Sequence, residues 1–226
     1  MFWPLLLLSM VLAAPAAALE NQLRDHASPY LAMHGDDPVA WQDWGAEAVA
    51  LARSEGKLLF VSSGYFSCHW CHVMQRESYQ DEAIAALLNR HFVPVKLDRE
   101  LHGALDAFLI DFVEQTQGHA GWPLNVFLTP EGYPLIGATY LPPDRFTELL
   151  RRLNGRWAEE PDRLRQLARR TLRQLMQDET ATKAEPLPAA ALRDALFVEA
   201  IGIADVMEGG FGDQNKFPMA PQLLAL

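Results

Sequence analysis

Two cysteines stand three residues apart in the stretch Cys68-His69-Trp70-Cys71, and the chain of 226 residues contains no others. Such a pair suits disulfide exchange, because one thiolate attacks a disulfide and the second thiol then displaces the mixed disulfide that forms. The order of the two residues predicts that Cys68 attacks and Cys71 resolves. His69 lies between them, and its imidazolium form would further favour the thiolate.

The elements predicted around the pair would position it for this chemistry. Lys57–Ser63 is a short apolar run typical of a buried strand, and a helical pattern begins at Cys68. The sulfur of Cys68 would then lie at the amino terminus of a helix, where backbone N–H groups and the helix dipole stabilise a thiolate.

Three other interpretations of the same residues stay open. The sequence Cys68-x-x-Cys71-His72 matches the attachment pattern of c-type haem, although a buried strand leads directly into it. The two cysteines with His69 or His72 would supply three zinc ligands, although adjacent residues of a helix point in different directions. An inert disulfide is the third, and so short a loop restricts its geometry. We predict neither a metal nor a cofactor.

Charge and composition limit the remaining function classes. The net charge of −10 argues against a nucleic-acid backbone as a partner, since that surface requires a basic footprint. Half of the residues are hydrophobic, which indicates a folded protein rather than a disordered one.

The hydrophobic pattern predicts alternating helices and strands. A helix is expected over residues 36–54. Four strands are expected over residues 57–63, 92–98, 124–129 and 134–141. Further helices are expected over residues 68–79, 81–90, 104–117, 143–157, 161–176 and 190–207.

Several longer stretches resemble a known family. They are NQLRDHASPYLAMHGDDPVAWQDW from Asn21, SGYFSCHWCHVMQRES from Ser63, VKLDRE from Val95, GWPLNVFLTPEG from Gly121 and TYLPP from Thr139. Together they resemble the thioredoxin superfamily and, more closely, the amino-terminal domain of the spermatogenesis-associated protein 20-like family. This resemblance implies an α/β, thioredoxin-like three-layer fold with a mixed central sheet, followed by carboxyl-terminal helices. It also implies a thiol–disulfide role.

The resemblance also assigns a cis-proline. In the thioredoxin fold a cis X-Pro bond lies beside the two sulfurs, just before the third core strand, and Trp122-Pro123 occupies that place here. Such a bond exposes the preceding backbone groups for pairing with an extended peptide.

One position departs from the thioredoxin pattern. Thioredoxins carry a buried acid six residues before the first cysteine, whereas this chain has Ser62. Asp98 and Glu77 are candidates to replace that acid as general base, and both also fit as ion-pair or helix-surface residues. His72 is a third candidate and equally fits as an exposed helix residue. Trp70 belongs either to an apolar rim for a peptide or to the core.

The chain is predicted to have four segments. Residues 1–18 resemble a secretory signal, with an apolar run too short for a bilayer span of about 20 residues and small residues before a cleavage site. Residues 19–178 form the thioredoxin-like domain, 179–189 a linker, and 190–226 a helical tail. In longer relatives a segment like the one in this tail leads into a helical-barrel domain, so we read the tail as the start of such a domain. No sugar-directed activity is carried over from it.

The sequence therefore predicts an exported thiol–disulfide oxidoreductase, periplasmic or extracellular. Its expected partners are protein or peptide thiols and disulfides, together with a redox partner protein. A membrane contact is expected only if the signal is not cleaved. The alternative is a non-catalytic binding module that uses the same groove.

Overall fold

The computed structural model describes residues 19–181 and 188–204. The predicted signal, most of the predicted linker and the tail beyond residue 204 lie outside these residues. The chain divides into two compact units, Met1–Met176 and Gln177–Leu226, and the two cysteines lie in the first.

A mixed sheet of five strands forms the centre of the first unit. The strands are β1 (Gln42–Asp43), β2 (Leu58–Gly64), β3 (Phe92–Asp98), β4 (Leu124–Leu128) and β5 (Pro134–Ala138). Their order across the sheet is β1-β3-β2-β4-β5. The pairs β1–β3 and β2–β3 are parallel, whereas β2–β4 and β4–β5 are antiparallel. The mixed sheet predicted from the sequence is confirmed, with one short strand, β1, that was not predicted.

Seven helices begin within the described part of the first unit. They are α1 (Pro29–Ala32), α2 (Ala46–Glu55), α3 (His69–Met74), α4 (Glu82–His91), α5 (Gly103–Gln117), α6 (Pro143–Glu159) and α7 (Pro161–Ala181). A π-helical turn, Gln75–Tyr79, continues α3. In the second unit, α8 spans Ala189–Gly202. No helix among the described residues has the length and apolar character needed to cross a membrane.

The single helix predicted over residues 36–54 is wrong at its start. Asp37 does not begin a helix; its side chain is buried and accepts hydrogen bonds from Trp41 Nε1 at 3.0 Å and from His34 Nδ1 at 2.7 Å. The chain then runs through β1, and the helix begins only after Gly45. Burial of the carboxylate therefore outweighs the local Asp-Pro signal for a helix start.

The sheet separates two cores, because successive strand residues point to opposite faces. On one face Leu59, Val61 and Val95 pack against α2 and α5. On the other face Phe60 and Phe127 pack against α1, α3, α4 and α6. Both cysteines belong to this second core.

The carboxyl-terminal helices differ from the prediction mainly in their limits. The helix predicted to end at Met176 continues to Ala181, into the predicted linker. Neither glycine nor proline occurs between these two residues, so nothing local stops the helix.

Candidate active site

Cys68 and Cys71 form a disulfide at the first turn of α3, with their Cα atoms 5.3 Å apart. Cys68 is the N-cap of this helix, in extended conformation, and its sulfur accepts a hydrogen bond from the Cys71 N–H at 3.2 Å. Cys68 is 4% exposed and Cys71 is 1% exposed. An N–H aimed at the Cys68 sulfur would stabilise negative charge on it once the disulfide opens.

Two hydrogen bonds fix the loop that leads from β2 to the disulfide. Cys68 N–H donates to the carbonyl of Tyr65 at 3.1 Å. His72 donates from Nε2 to the carbonyl of Phe66 at 2.7 Å. The geometry therefore gives His72 a positioning contact with the loop, which the sequence alone did not indicate.

Aromatic side chains surround the outer side of the cysteine pair. Trp70 is 51% exposed and its ring lies 4.9 Å from the ring of Tyr140. Phe66 is exposed, and the exposed ring of His69 packs edge-on against Trp70. Of the two interpretations of Trp70, the structure places it at the surface as part of an apolar rim.

The peptide bond between Trp122 and Pro123 is cis, as the sequence predicts. The indole N–H of Trp122 donates to Asp106 Oδ1 at 3.0 Å, and the hydroxyl of Ser63 donates to the same oxygen at 2.5 Å. The Trp122 ring lies 5.8 Å from that of Tyr65. The segment that contains Trp122 and Pro123, called the proline loop below, therefore adjoins the loop before Cys68.

Asp106 thus holds the proline loop to the end of β2, and sequence reasoning missed it. Arg99 supports the same side chains: its guanidinium lies 4.1 Å from the centre of the Trp122 ring and 3.8 Å from Asp106. One signal for Asp106 is present in the sequence. It stands three residues before Leu109, on the buried face of α5.

The two acids considered as substitutes for the missing general base each have other hydrogen-bond partners. Glu77 is exposed and accepts a hydrogen bond from the Tyr140 hydroxyl at 2.6 Å. This hydrogen bond raises the pKa of Tyr140. Asp98 is buried, but its carboxylate accepts from the Ser28 hydroxyl at 2.6 Å and from the Glu100 N–H at 3.0 Å. It therefore ties α1 to the end of β3.

A lysine occupies the neighbourhood where thioredoxins have the acid. Ser62 is fully buried and accepts a hydrogen bond from Lys96 Nζ at 2.9 Å. Tyr79 donates its proton to Asn125 Oδ1 at 2.8 Å, so Ser62 donates in turn to the Tyr79 oxygen at 2.9 Å. Sequence reasoning missed Lys96, because a lysine near the end of a strand usually reaches solvent.

Burial controls the protonation of this polar cluster, which comprises Ser62, Lys96, Tyr79, Asn125, Asp37 and His34. It lowers the pKa of Lys96 to about 7, against the opposing effect of Asp37. The ammonium group also lies 4.5 Å from the centre of the Tyr79 ring and 5.1 Å from that of Trp41. Burial likewise lowers the pKa of His34 to about 4. Both groups thus favour their neutral forms more than exposed residues do.

The described residues contain no group of three or more histidine, cysteine, aspartate or glutamate side chains arranged to hold a metal ion.

The chain is similar to a known protein family, to curated proteins and to solved structures. A family model, Thioredox_DsbH, described as a protein of unknown function (DUF255), matches residues 20–176. Among curated proteins, the uncharacterized protein B0495.5 of Caenorhabditis elegans is 38% identical over 210 residues, which cover 90% of this chain and 28% of that protein. Spermatogenesis-associated protein 20 of Homo sapiens is 39% identical over 207 residues, covering 88% of this chain and 26% of that protein. The chain thus spans about a quarter of the length of these relatives.

Solved structures were also matched. A DsbH oxidoreductase is 18% identical, with 50% of this chain and 83% of that chain covered and a TM-score of 0.40. A thioredoxin from Thermus thermophilus is 22% identical, with 54% and 95% covered and a TM-score of 0.41.

The family match spans most of the chain and includes the cysteine pair, the cis-proline and the whole mixed sheet. It confirms the resemblance to the spermatogenesis-associated protein 20-like proteins drawn from the sequence. The chain belongs to the thioredoxin-like DsbH/DUF255 family and has the fold of a disulfide oxidoreductase with a Cys68–Cys71 pair.

Proposed function

We propose that this protein is an exported thiol–disulfide oxidoreductase that exchanges disulfides with proteins or peptides through Cys68 and Cys71. One observation carries the proposal: the two cysteines form a disulfide at the first turn of α3, and a backbone N–H points at the Cys68 sulfur. This arrangement favours a reactive thiolate over an inert thiol.

The exchange proceeds in two steps. A substrate thiolate attacks the Cys68 sulfur, the bond between Cys68 and Cys71 breaks, and its electron pair leaves on Cys71 as a thiolate. The product is a mixed disulfide between substrate and Cys68. In the second step another thiolate of the substrate attacks the substrate sulfur of this mixed disulfide, a substrate disulfide forms, and Cys68 leaves as a thiolate. The reverse sequence reduces a substrate disulfide: the Cys68 thiolate attacks it and expels one substrate thiolate, and the Cys71 thiolate then attacks Cys68 and releases the other. A redox partner protein, also a dithiol or disulfide, returns the pair to its starting state.

The surface beside the pair suits an extended peptide. Phe66 and Trp70 expose apolar rings that would pack against substrate side chains. Trp122 precedes the cis-proline, and its backbone groups would pair with the substrate main chain. The sequence pattern of residues 1–18 supports export to the periplasm or outside the cell, and an oxidising compartment suits such a pair.

The test is a catalysed disulfide reduction. Purified protein with dithiothreitol should accelerate the reduction of insulin, and Cys68→Ala should abolish this acceleration. Cys71→Ala should instead trap substrates on Cys68 as mixed disulfides in the native compartment, where the double variant serves as the control. Equal rates for Cys68→Ala and the parent protein would refute the proposal.

Ser62 favours a second candidate, a non-catalytic binding module. Its hydroxyl faces Lys96 and Tyr79 where a general base is expected, so no acid assists proton transfer there. The pKa of the Cys68 thiol separates the two functions. A value near the usual 8.5 or so supports a binder, whereas a value below about 7 supports an oxidoreductase.

A further inference from the structure

The hydroxyl of Tyr30 is a buried polar group without a hydrogen-bond partner among the described residues. Tyr30 is 1% exposed and lies on α1, before the sheet begins. A buried hydroxyl without a partner loses the hydrogen bonds it would make to water, which costs free energy. In the oxidised protein the burial of the Tyr30 hydroxyl is therefore not compensated by a hydrogen bond to a described residue.

Gly64 locates this hydroxyl beside the resolving cysteine. A methyl carbon built on Gly64 would overlap the Tyr30 oxygen and lie 2.7 Å from the Cys71 sulfur. The oxygen and the sulfur are therefore near neighbours on the same side of Gly64. Glycine is needed here because any side chain would occupy the space that these two atoms share.

The surrounding contacts hold Tyr30 in this place. Ser28, the N-cap of α1, bonds to Asp98 at the end of β3, and Asp98 pairs in register with Gly64 of β2. The Tyr30 ring also packs edge-on against His34, with centroids 5.3 Å apart. These contacts to β2, β3 and α1, rather than a hydrogen bond of its own, hold the Tyr30 hydroxyl in place.

We propose that Tyr30 donates a hydrogen bond to the Cys71 sulfur when the disulfide opens. A disulfide sulfur is a weak acceptor, whereas a thiolate is a strong one, so the hydroxyl gains its partner only in the reduced protein or the mixed disulfide. This role rests on the proposed disulfide exchange and adds a residue to it.

The chemistry follows from the exchange step. When a substrate thiolate attacks Cys68, the electron pair of the broken bond goes to Cys71, and the Tyr30 O–H donates to the new thiolate without transferring its proton. Burial raises the pKa of Tyr30 well above its usual value, so the phenol keeps its proton and acts only as a donor. Tyr30 thus stabilises the leaving thiolate of Cys71 in a chain that has Ser62 in place of the buried acid of thioredoxins.

The test isolates one thiol. In a Cys68→Ser background Cys71 is the only cysteine, and serine preserves an N-cap acceptor at the start of α3. Labelling with [3-¹³C]cysteine then reports the titration of Cys71 by NMR. Adding Tyr30→Phe should leave about tenfold less thiolate at any pH below the midpoint, since a hydrogen bond to a charged group is lost.

Tyr79→Phe in the same background is the matched control. Tyr79 is equally buried, but its hydroxyl bonds to Ser62 and Asn125. This change should lower stability and leave the Cys71 midpoint in place. In the oxidised parent protein, Tyr30→Phe removes an unpartnered hydroxyl and should not lower stability. The charged and titratable groups that surround Tyr30 are Lys96, Asp98, Asp37, His34 and Tyr79. They are the same in the parent and in the Tyr30→Phe variant, so they do not account for a difference in the Cys71 midpoint between the two proteins.

A second measurement needs no change at Tyr30. In the Cys68→Ser protein labelled with [¹³Cζ]tyrosine, the Tyr30 signal should shift with the same midpoint as Cys71. An unmoved Cys71 midpoint in Tyr30→Phe, or a Tyr30 signal that ignores the Cys71 titration, would overturn the proposal. Because neither experiment uses a substrate, their outcome is independent of whether the protein reduces insulin.

Discussion

On one face of the central sheet, β2 and β3 present Leu59, Val61 and Val95 to α2 and α5. On the opposite face the same two strands present Ser62 and Lys96 to a layer of aromatic and polar side chains. The two faces differ although they share one backbone, since alternate residues of each strand point to opposite sides.

The two faces of the sheet contribute to the domain in different ways. The apolar side chains of the first face hold the sheet by burial, and their contribution is independent of pH and redox state. The polar face carries the cysteines, and there each buried polar group needs a partner or loses free energy. We therefore expect substitutions on the two faces to differ in kind as well as in size.

The largest expected effect is a truncation on the apolar face. Leu109→Ala should lower the free energy of unfolding by about 4 kcal/mol, because it leaves a cavity at a fully buried position of α5. The loss should be the same at pH 5 and pH 8, and disulfide exchange per folded molecule should not change. Urea unfolding at both pH values measures it.

Phe108→Ala is the control on the same helix. Phe108 is 38% exposed, so its removal should cost much less than that of Leu109. If Leu109→Ala altered the Cys71 titration, the separation between the two faces would fail.

More of the apolar face than of the polar face could be predicted from the sequence. The limits of β3 were predicted to the residue, and those of β2 to within one, because apolar runs identify buried strands directly. The two-residue strand β1 was missed, since two residues are too few to form a pattern. The cis-proline was predicted from its place in the fold rather than from periodicity.

The polar cluster was not predicted because its members meet only after folding. Ser62 and Lys96 are 34 positions apart, and Tyr79 bonds to Asn125 across 46 positions. Asp37 was assigned to a helix start, although it accepts from His34 and Trp41 in the core. Local patterns rank such residues as surface groups, because charged side chains seldom lie buried without partners.

His34 provides the next prediction, at the edge of the polar cluster. Its pKa is about 4 in the folded protein and about 6.5 when unfolded, so between these values the unfolded chain binds more protons. Stability is therefore fully present above pH 6.5 and falls as the pH drops toward 4, by about 3 kcal/mol. Urea unfolding at pH 7 and pH 4 measures this loss.

His34→Gln should flatten this part of the pH profile, since glutamine does not titrate. His119→Gln, at an exposed position, is the matched control and should keep the parent profile. Parallel profiles for His34→Gln and the parent protein would contradict the prediction.

Lys96 gives the smallest of the three effects and tests the centre of the polar face. Its pKa is about 7 when folded and about 10.5 when unfolded, so above pH 7 the unfolded chain again binds more protons. Stability should consequently rise between pH 7 and pH 9, by about 2 kcal/mol.

In Lys96→Met this rise should disappear, because methionine keeps the buried aliphatic length and does not titrate. Oxidised protein is used throughout, so that no thiol titrates in the same window. Lys57→Met, in which a partly exposed lysine paired with Glu55 is replaced, is the control and should keep the rise. If Lys96→Met and the parent protein gained stability equally, the lysine would be charged in the folded state across this range. The polar face would then hold a buried cation rather than a neutral amine beside Ser62.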